Sequence, residues 1–296
     1  MKGSNARPAG KRRKRWGWIL LVAGSFLGGV LAMGLALLWP ADGSRPLPGA
    51  SAFASPASLA VPGAGDNEVL APGPRIAIIV DDMGYEPVRD AEWLEFPQKL
   101  SVSILPFGPS SRTVADSARS KGYGVILQMP GEQRSAAGED PEPRSPQKGM
   151  TAKEIEDLLG RMARDVPLAA GASNPVGGFV SDPAAMGAFA AALKAKGYFF
   201  VDSATADDSV AMQAIRQAGV PAVRRDVALD DDPRPEEIRR QWARAIALAK
   251  ERGEAVVTCH SRKATLKAIR ELIPDLQKEG IRPVTIQEML AGTADG

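Results

Sequence analysis

The run Arg75-Ile76-Ala77-Ile78-Ile79-Val80 is apolar and rich in β-branched residues, and it ends in Asp81-Asp82, with Gly84 just beyond. This pattern reads as a buried strand delivering two carboxylates to its carboxyl end, followed by a turn. Adjacent carboxylates repel and resist burial unless a positive charge or a metal lies beside them. A pair at the tip of a core strand therefore points to proton transfer or metal binding more than to capping alone. Other groups able to do chemistry recur near the ends of apolar runs: Gln128, Asn174, Asp202-Ser203, Arg225-Asp226 and Cys259-His260. His260 is the only histidine and Cys259 the only cysteine, which excludes an intramolecular disulfide and a cysteine-rich zinc site. Neighbours on a strand point to opposite faces, so Cys259 and His260 do not make a nucleophile and base; a packed cysteine beside a cleft-facing histidine is expected. Asp230-Asp231-Asp232 before Pro233 reads as a solvated loop and helix start.

Something must carry these groups to one place. From residue 75 onward, short β-rich runs alternate with helical patterns. Strands are expected at 75–81, 100–105, 123–129, 176–180, 198–202, 221–227, 255–259 and 282–286. Helices are expected near 87–95, 110–121, 152–165, 183–196, 207–218, 234–252 and 262–279. Thr151 and Glu154 have capping-box spacing, Asp182 precedes a proline at a helix start, and Gly122, Gly197, Gly219, Gly253 and Gly280 follow helical stretches. Seven or eight βα units argue for an α/β fold, a distorted (β/α) barrel, with an open doubly wound sheet as the alternative. In a barrel, chemistry gathers at the carboxyl ends of the strands, where Asp81, Asp82, Gln128, Asp202, Arg225, Asp226 and His260 all fall. The segment from Gly131 to Met150 is polar and proline-rich, as a lid or binding loop on that face would be.

The amino-terminal part has a different texture. Residues 1–15 hold seven of the chain's 37 Lys and Arg and no acid, which leaves 30 against 35 Asp and Glu in the remainder, a net of about −5. By charge, the bulk of the protein is no nucleic-acid binder. Residues 16–39 are uncharged, with Trp16, Trp18 and Trp39 at the ends. At 1.5 Å per residue they cross the ~30 Å hydrocarbon layer, and the basic segment before them sets the amino terminus in the cytoplasm. An uncleaved signal anchor in the inner membrane is expected, followed by a Pro/Ala/Gly-rich tether at 40–74 and a periplasmic domain at 75–291.

The ordered motifs Asp81-Asp82-Met83-Gly84, Ile104-Leu105-Pro106-Phe107, Gln128-Met129-Pro130, Lys148-Gly149-Met150, Phe200-Val201-Asp202-Ser203, Arg225-Asp226-Val227 and Cys259-His260 resemble the divergent polysaccharide deacetylase family, a branch of the NodB-like carbohydrate esterases. The resemblance spans about residues 75 to 290. It implies a distorted (β/α) barrel, a divalent metal cofactor, usually zinc, and hydrolysis of N-acetyl groups on polymeric amino sugars. It further implies Asp81 as general base, Asp82 as metal ligand and His260 as the acid for the leaving amine. Two positions depart from it: Pro175 and Gln128 stand where the family commonly has histidine. The expectation is a membrane-anchored envelope protein that has lost catalysis and binds envelope polysaccharide, peptidoglycan or a protein partner through the old cleft. The alternative is an active N-deacetylase with an oxygen-rich metal site built from Asp81, Asp82, Gln128 and Asp202 or Asp226.

Overall fold

The computed structural model describes residues 73–131, 144–173, 178–204, 206 and 209–292. The basic segment, the expected membrane span, nearly all of the tether, Asn174 and Pro175 lie outside them. The strands are β1 (Arg75–Met83), β2 (Ser101–Ile104), β3 (Gly124–Gln128), β4 (Gly171–Ser173), β5 (Phe199–Asp202), β6 (Ala222–Arg224), β7 (Val227–Ala228), β8 (Glu254–His260) and β9 (Arg282–Val284). The helices are α1 (Pro87–Leu94), α2 (Ser111–Ser120), α3 (Ala152–Asp165), α4 (Pro183–Lys196), α5 (Ala211–Gln217), α6 (Pro235–Arg252), α7 (Lys263–Leu272), α8 (Pro274–Lys278) and α9 (Ile286–Ala291).

All strand pairings are parallel, in the order β6-β5-β4-β3-β2-β1-β8-β7, with β9 pairing the amino-terminal half of β1. The two ends of that order, β6 and β7, are separated in the chain only by Arg225 and Asp226. The expected strand 221–227 therefore exists as one extended stretch that changes partner midway. The Arg225 N–H still donates to the Asp202 carbonyl beside β5, and the Asp226 N–H already donates to Val256 of β8. The two edges of the sheet are joined by the chain itself and not by a ladder between β6 and β7, as suits a distorted barrel.

Alternation along the strands divides the core into two layers. Ala77, Ile79, Ile126, Phe199, Val201 and Val256 face inward and meet Ile286 and Met289 of α9. Ile76, Ile78, Val80, Leu127, Phe200, Val257 and Cys259 face the helices. Cys259 is thus a buried packing residue, as the alternation argument expects.

Three element assignments differ from the sequence reading; the first is α9, which takes over at Ile286 where the strand at 282–286 was expected to end. The strand expected at 176–180 is not formed where it is described: residues 176 and 177 lie outside the described residues, Phe179 and Val180 lie in a buried turn, and β4 is the small-residue run Gly171-Ala172-Ser173. Position 171 requires glycine because a Cβ there would lie 2.3 Å from the Phe199 ring. Pairing with β3 and β5 on both sides overrides the weak strand propensity of this run. The single helix expected over 262–279 is broken at Pro274, which opens α8.

Candidate functional site

Asp81 continues the inward parity of Ala77 and Ile79 and sits in register with His260 on the adjacent strand, so the two point into the same mouth of the barrel. A regular strand would send Asp82 outward with Val80. It does not do so here, because the β1–β2 register slips between Val80 and Met83 and Asp82 adopts φ 63. This bulge with a left-handed residue is the device that turns two consecutive carboxylates toward one cleft. The turn beyond is braced from below. Gly84, at φ 110, donates its N–H to the buried Asp90 carboxylate at 3.0 Å, and the same oxygen accepts from the Ser110 hydroxyl at 2.8 Å. A Cβ on Gly84 would lie 2.9 Å from the Leu105 carbonyl, so the close loop contact excludes larger residues. Ser261, just past β8, ties in the other side: its N–H donates to the Asp81 carbonyl at 3.0 Å and its hydroxyl to that of Asp82 at 3.1 Å.

His260 is oriented by Asp230, which was expected in a solvated loop and is instead buried. Asp230, only 1 % exposed, accepts from His260 Nδ1 at 2.8 Å, from the His260 N–H at 3.1 Å and from the Thr265 hydroxyl at 2.6 Å. Burial would raise the Asp230 carboxyl, but the hydrogen bonds from His260 and Thr265 outweigh it and hold it below its ordinary value. The same bond to Asp230 raises the His260 imidazole, against the opposing effect of burial. With Nδ1 engaged, Nε2 is the nitrogen left to exchange protons with the cleft. The available signal was Val227-Ala228-Leu229 running into Asp230, the same apolar-run-then-acid pattern that marks Asp81. Replacing Asp230 with Asn is expected to bring the His260 pKa down toward its ordinary value and to cost about 2 kcal/mol of stability, because a buried charge-assisted network is lost. One imidazole signal in a pH-titrated NMR spectrum reads this directly, since the chain has a single histidine.

Burial pushes the Asp81 carboxyl up to about 7; the Asp82 charge adds to this, while a hydrogen bond from Ser103 and the charges of His260 and Arg225 pull it back. A carboxyl poised near neutrality beside an imidazole raised toward protonation can pass protons in both directions at physiological pH.

The other half of the site is built differently. The Asp82 N–H donates to Gln128 Oε1 at 2.8 Å, and Gln128 Nε2 donates to Asp82 Oδ1 at 2.8 Å. A backbone N–H can only donate, so it fixes which end of the amide faces it. The amide nitrogen must then face the Asp82 carboxylate, and Gln128 offers a hydrogen where a ligand would offer a lone pair.

Residues 78–290 match the divergent polysaccharide deacetylase family. The chain belongs to that family. It is 31% identical over 203 residues to the uncharacterized protein YibQ of Escherichia coli, covering 68% of this chain and 63% of that one, so the match spans less than two thirds of the E. coli protein. It is 32% identical over 212 residues to an uncharacterized protein of Haemophilus influenzae, covering 70% of this chain and 75% of that one. Among solved structures, an uncharacterized protein of Agrobacterium tumefaciens shares the fold, with TM-score 0.67 and 23% identity over 74% of this chain and 90% of that one.

Divergent polysaccharide deacetylases, by the resemblance set out above, imply a divalent metal, and the donor set among the described residues does not fit one. Among the described residues, no group of three or more His, Cys, Asp and Glu side chains is placed to hold a metal ion. Position 175 is proline, and Gln128 meets Asp82 through its N–H. Two acids expected in an oxygen-rich site are engaged elsewhere. Asp202 accepts from the Ala204 N–H at 2.8 Å and pairs with Arg224 at 3.4 Å, so it closes the turn after β5. Asp226 accepts from the Val256 N–H at 2.8 Å and pairs with Arg252 at 3.3 Å, far down β8 from His260. Both acids secure the barrel where it changes partner. Ser203 stays half-buried on the rim, and Arg225 reaches Thr258 at 3.4 Å while its charge acts on Asp81.

Proposed function

We propose that this chain is a membrane-anchored envelope protein whose deacetylase-like domain binds an amino-sugar polymer, such as peptidoglycan, in the barrel mouth without hydrolysing it. The amide of Gln128 closed on Asp82 carries this reading. It satisfies the carboxylate with a neutral donor and removes the centre that would polarise an acetyl carbonyl. Supporting the location are the basic residues before position 16 and the uncharged stretch 16–39. One observation favours the alternative, an active N-deacetylase: the Asp81, His260 and Asp230 arrangement keeps the proton-transfer half intact.

The two readings separate in one assay. The full chain is mixed with insoluble peptidoglycan, and both sedimented protein and released acetate are measured, with and without added zinc. Sedimentation without acetate is the expected result. Acetate release that disappears in Asp81→Asn replaces the binding reading with the hydrolytic one.

A further inference from the structure

Two features of the rim flank the acid and base, one on the β2 side and one on the β7 side. Tyr85 is the first. It is 45 % exposed, yet it is not free to move. Its hydroxyl donates to the Pro106 carbonyl at 3.1 Å, beyond β2. A Cβ on Gly108 would lie 2.7 Å from Tyr85 Cδ2, so the ring lies against the Gly108 backbone. The result is an aromatic surface already ordered before any ligand arrives, which costs little entropy to stack upon.

The second feature is a cavity of about 340 Å³ where the chain changes partner from β5 to β8. Its lining includes Arg225, Leu229, Asp231, Gln241 and Arg244. Arg225 connects it to the site, since it reaches Thr258, two residues before His260 on the same face of β8, at 3.4 Å. Arg244 is exposed on α6. Asp232 and Glu237 also line the cavity and are held by Arg234 and Arg240. Guanidinium donors beside carboxylate acceptors match hydroxyl groups, which both donate and accept; the carboxylates oppose a simple anion.

Strand order sets the distance between the two features. Along the rim the sequence is β2, β1, β8, β7. Tyr85 leans to the β2 side, Asp81 and His260 stand on β1 and β8, and the cavity opens beside β7. Three interstrand steps of ~4.8 Å separate the ends by roughly 14 Å, more than one sugar ring covers.

We infer that the rim binds an extended stretch of an amino-sugar polymer at two separated points, with one ring stacked on Tyr85 and another hydrogen-bonded in the Arg225–Arg244 cavity. This rests on the glycan-binding reading and adds to it the two contact points, which a chain of several sugars reaches together and a single sugar does not.

The test is calorimetric titration of the full chain with N-acetylglucosamine and with its β-1,4-linked trimer and pentamer. Affinity is expected to rise more than about tenfold from monomer to pentamer, as polar and aromatic contacts at the two ends are joined. Tyr85→Ala and Arg244→Ala are each expected to weaken the pentamer about three- to tenfold, and the double variant to bring it near the monomer. Tyr85→Phe keeps the ring and is expected to keep most of the affinity. Equal affinity for monomer and pentamer, or a pentamer indifferent to both substitutions, overturns the two-ended cleft and leaves glycan binding standing. A folded chain that binds none of the three overturns both.

Discussion

Replacing Asp81 with Asn should make the protein more stable at pH 8 while abolishing any acetate release. Burial lifts this carboxyl from its ordinary 3.8 to about 7. Between those values the folded protein holds a proton that the unfolded chain has already released, so wild-type stability falls as pH rises through this window. Above pH 7 both states are ionised and the loss is complete; below about pH 4 both carry the proton and no difference remains. Asparagine does not titrate and escapes this cost. Three pKa units correspond to ~4 kcal/mol as an upper bound, and screening of a carboxyl that reaches the barrel mouth reduces the expectation to about 2 kcal/mol. A domain of this size should then melt about 4 to 8 °C higher. Thermal melts of the wild type and Asp81→Asn at pH 4, 6 and 8 provide the measurement. A gain equal at all three pH values would show that the carboxyl is not raised. The sign also has a functional meaning, because a residue that lowers stability at working pH is retained for something other than stability.

Gln128→Glu should have the opposite effect. Gln128 Nε2 sits 2.8 Å from Asp82 Oδ1, so the substitution sets one carboxylate against another and leaves Asp82 without its donor. A loss of roughly 2–3 kcal/mol at neutral pH is expected. A hard divalent cation between two carboxylates repairs such a clash, so added Mn²⁺ should recover most of the lost melting temperature in the variant. The wild type, already satisfied by the amide, should melt at the same temperature in EDTA and in Mn²⁺. A wild-type midpoint that drops in EDTA would mean that a metal is bound after all and that the amide orientation is wrong.

Much of this protein can be read along the chain. The apolar run ending in Asp81-Asp82, the caps at Thr151 and Asp182, and the regular alternation of strand and helix lead to a parallel barrel with its acids on the carboxyl rim. These are local signals, and local chemistry is enough to read them. The strand at Gly171–Ser173 could not be read, because its residues have little intrinsic preference and are extended only by their neighbours β3 and β5. Asp230 was obscured by its company in an acidic triplet, where one member is buried and the others are partly or fully exposed.

The sequence by itself determined which chemical groups are present and which are missing: one histidine, two adjacent carboxylates, and glutamine and proline where the resemblance expects histidine ligands. Only the tertiary structure decided what those groups do to one another. A one-residue bulge, not strand parity, brings Asp82 to face Gln128, and a backbone N–H then fixes that amide's direction. Asp202 and Asp226 are indistinguishable from site residues in the chain, yet their carboxylates accept from the turn after β5 and from the Val256 N–H of β8. The physical reason is common to all three cases. Which way a side chain points depends on the register with strands distant in sequence, and a shift of one residue changes the face it occupies.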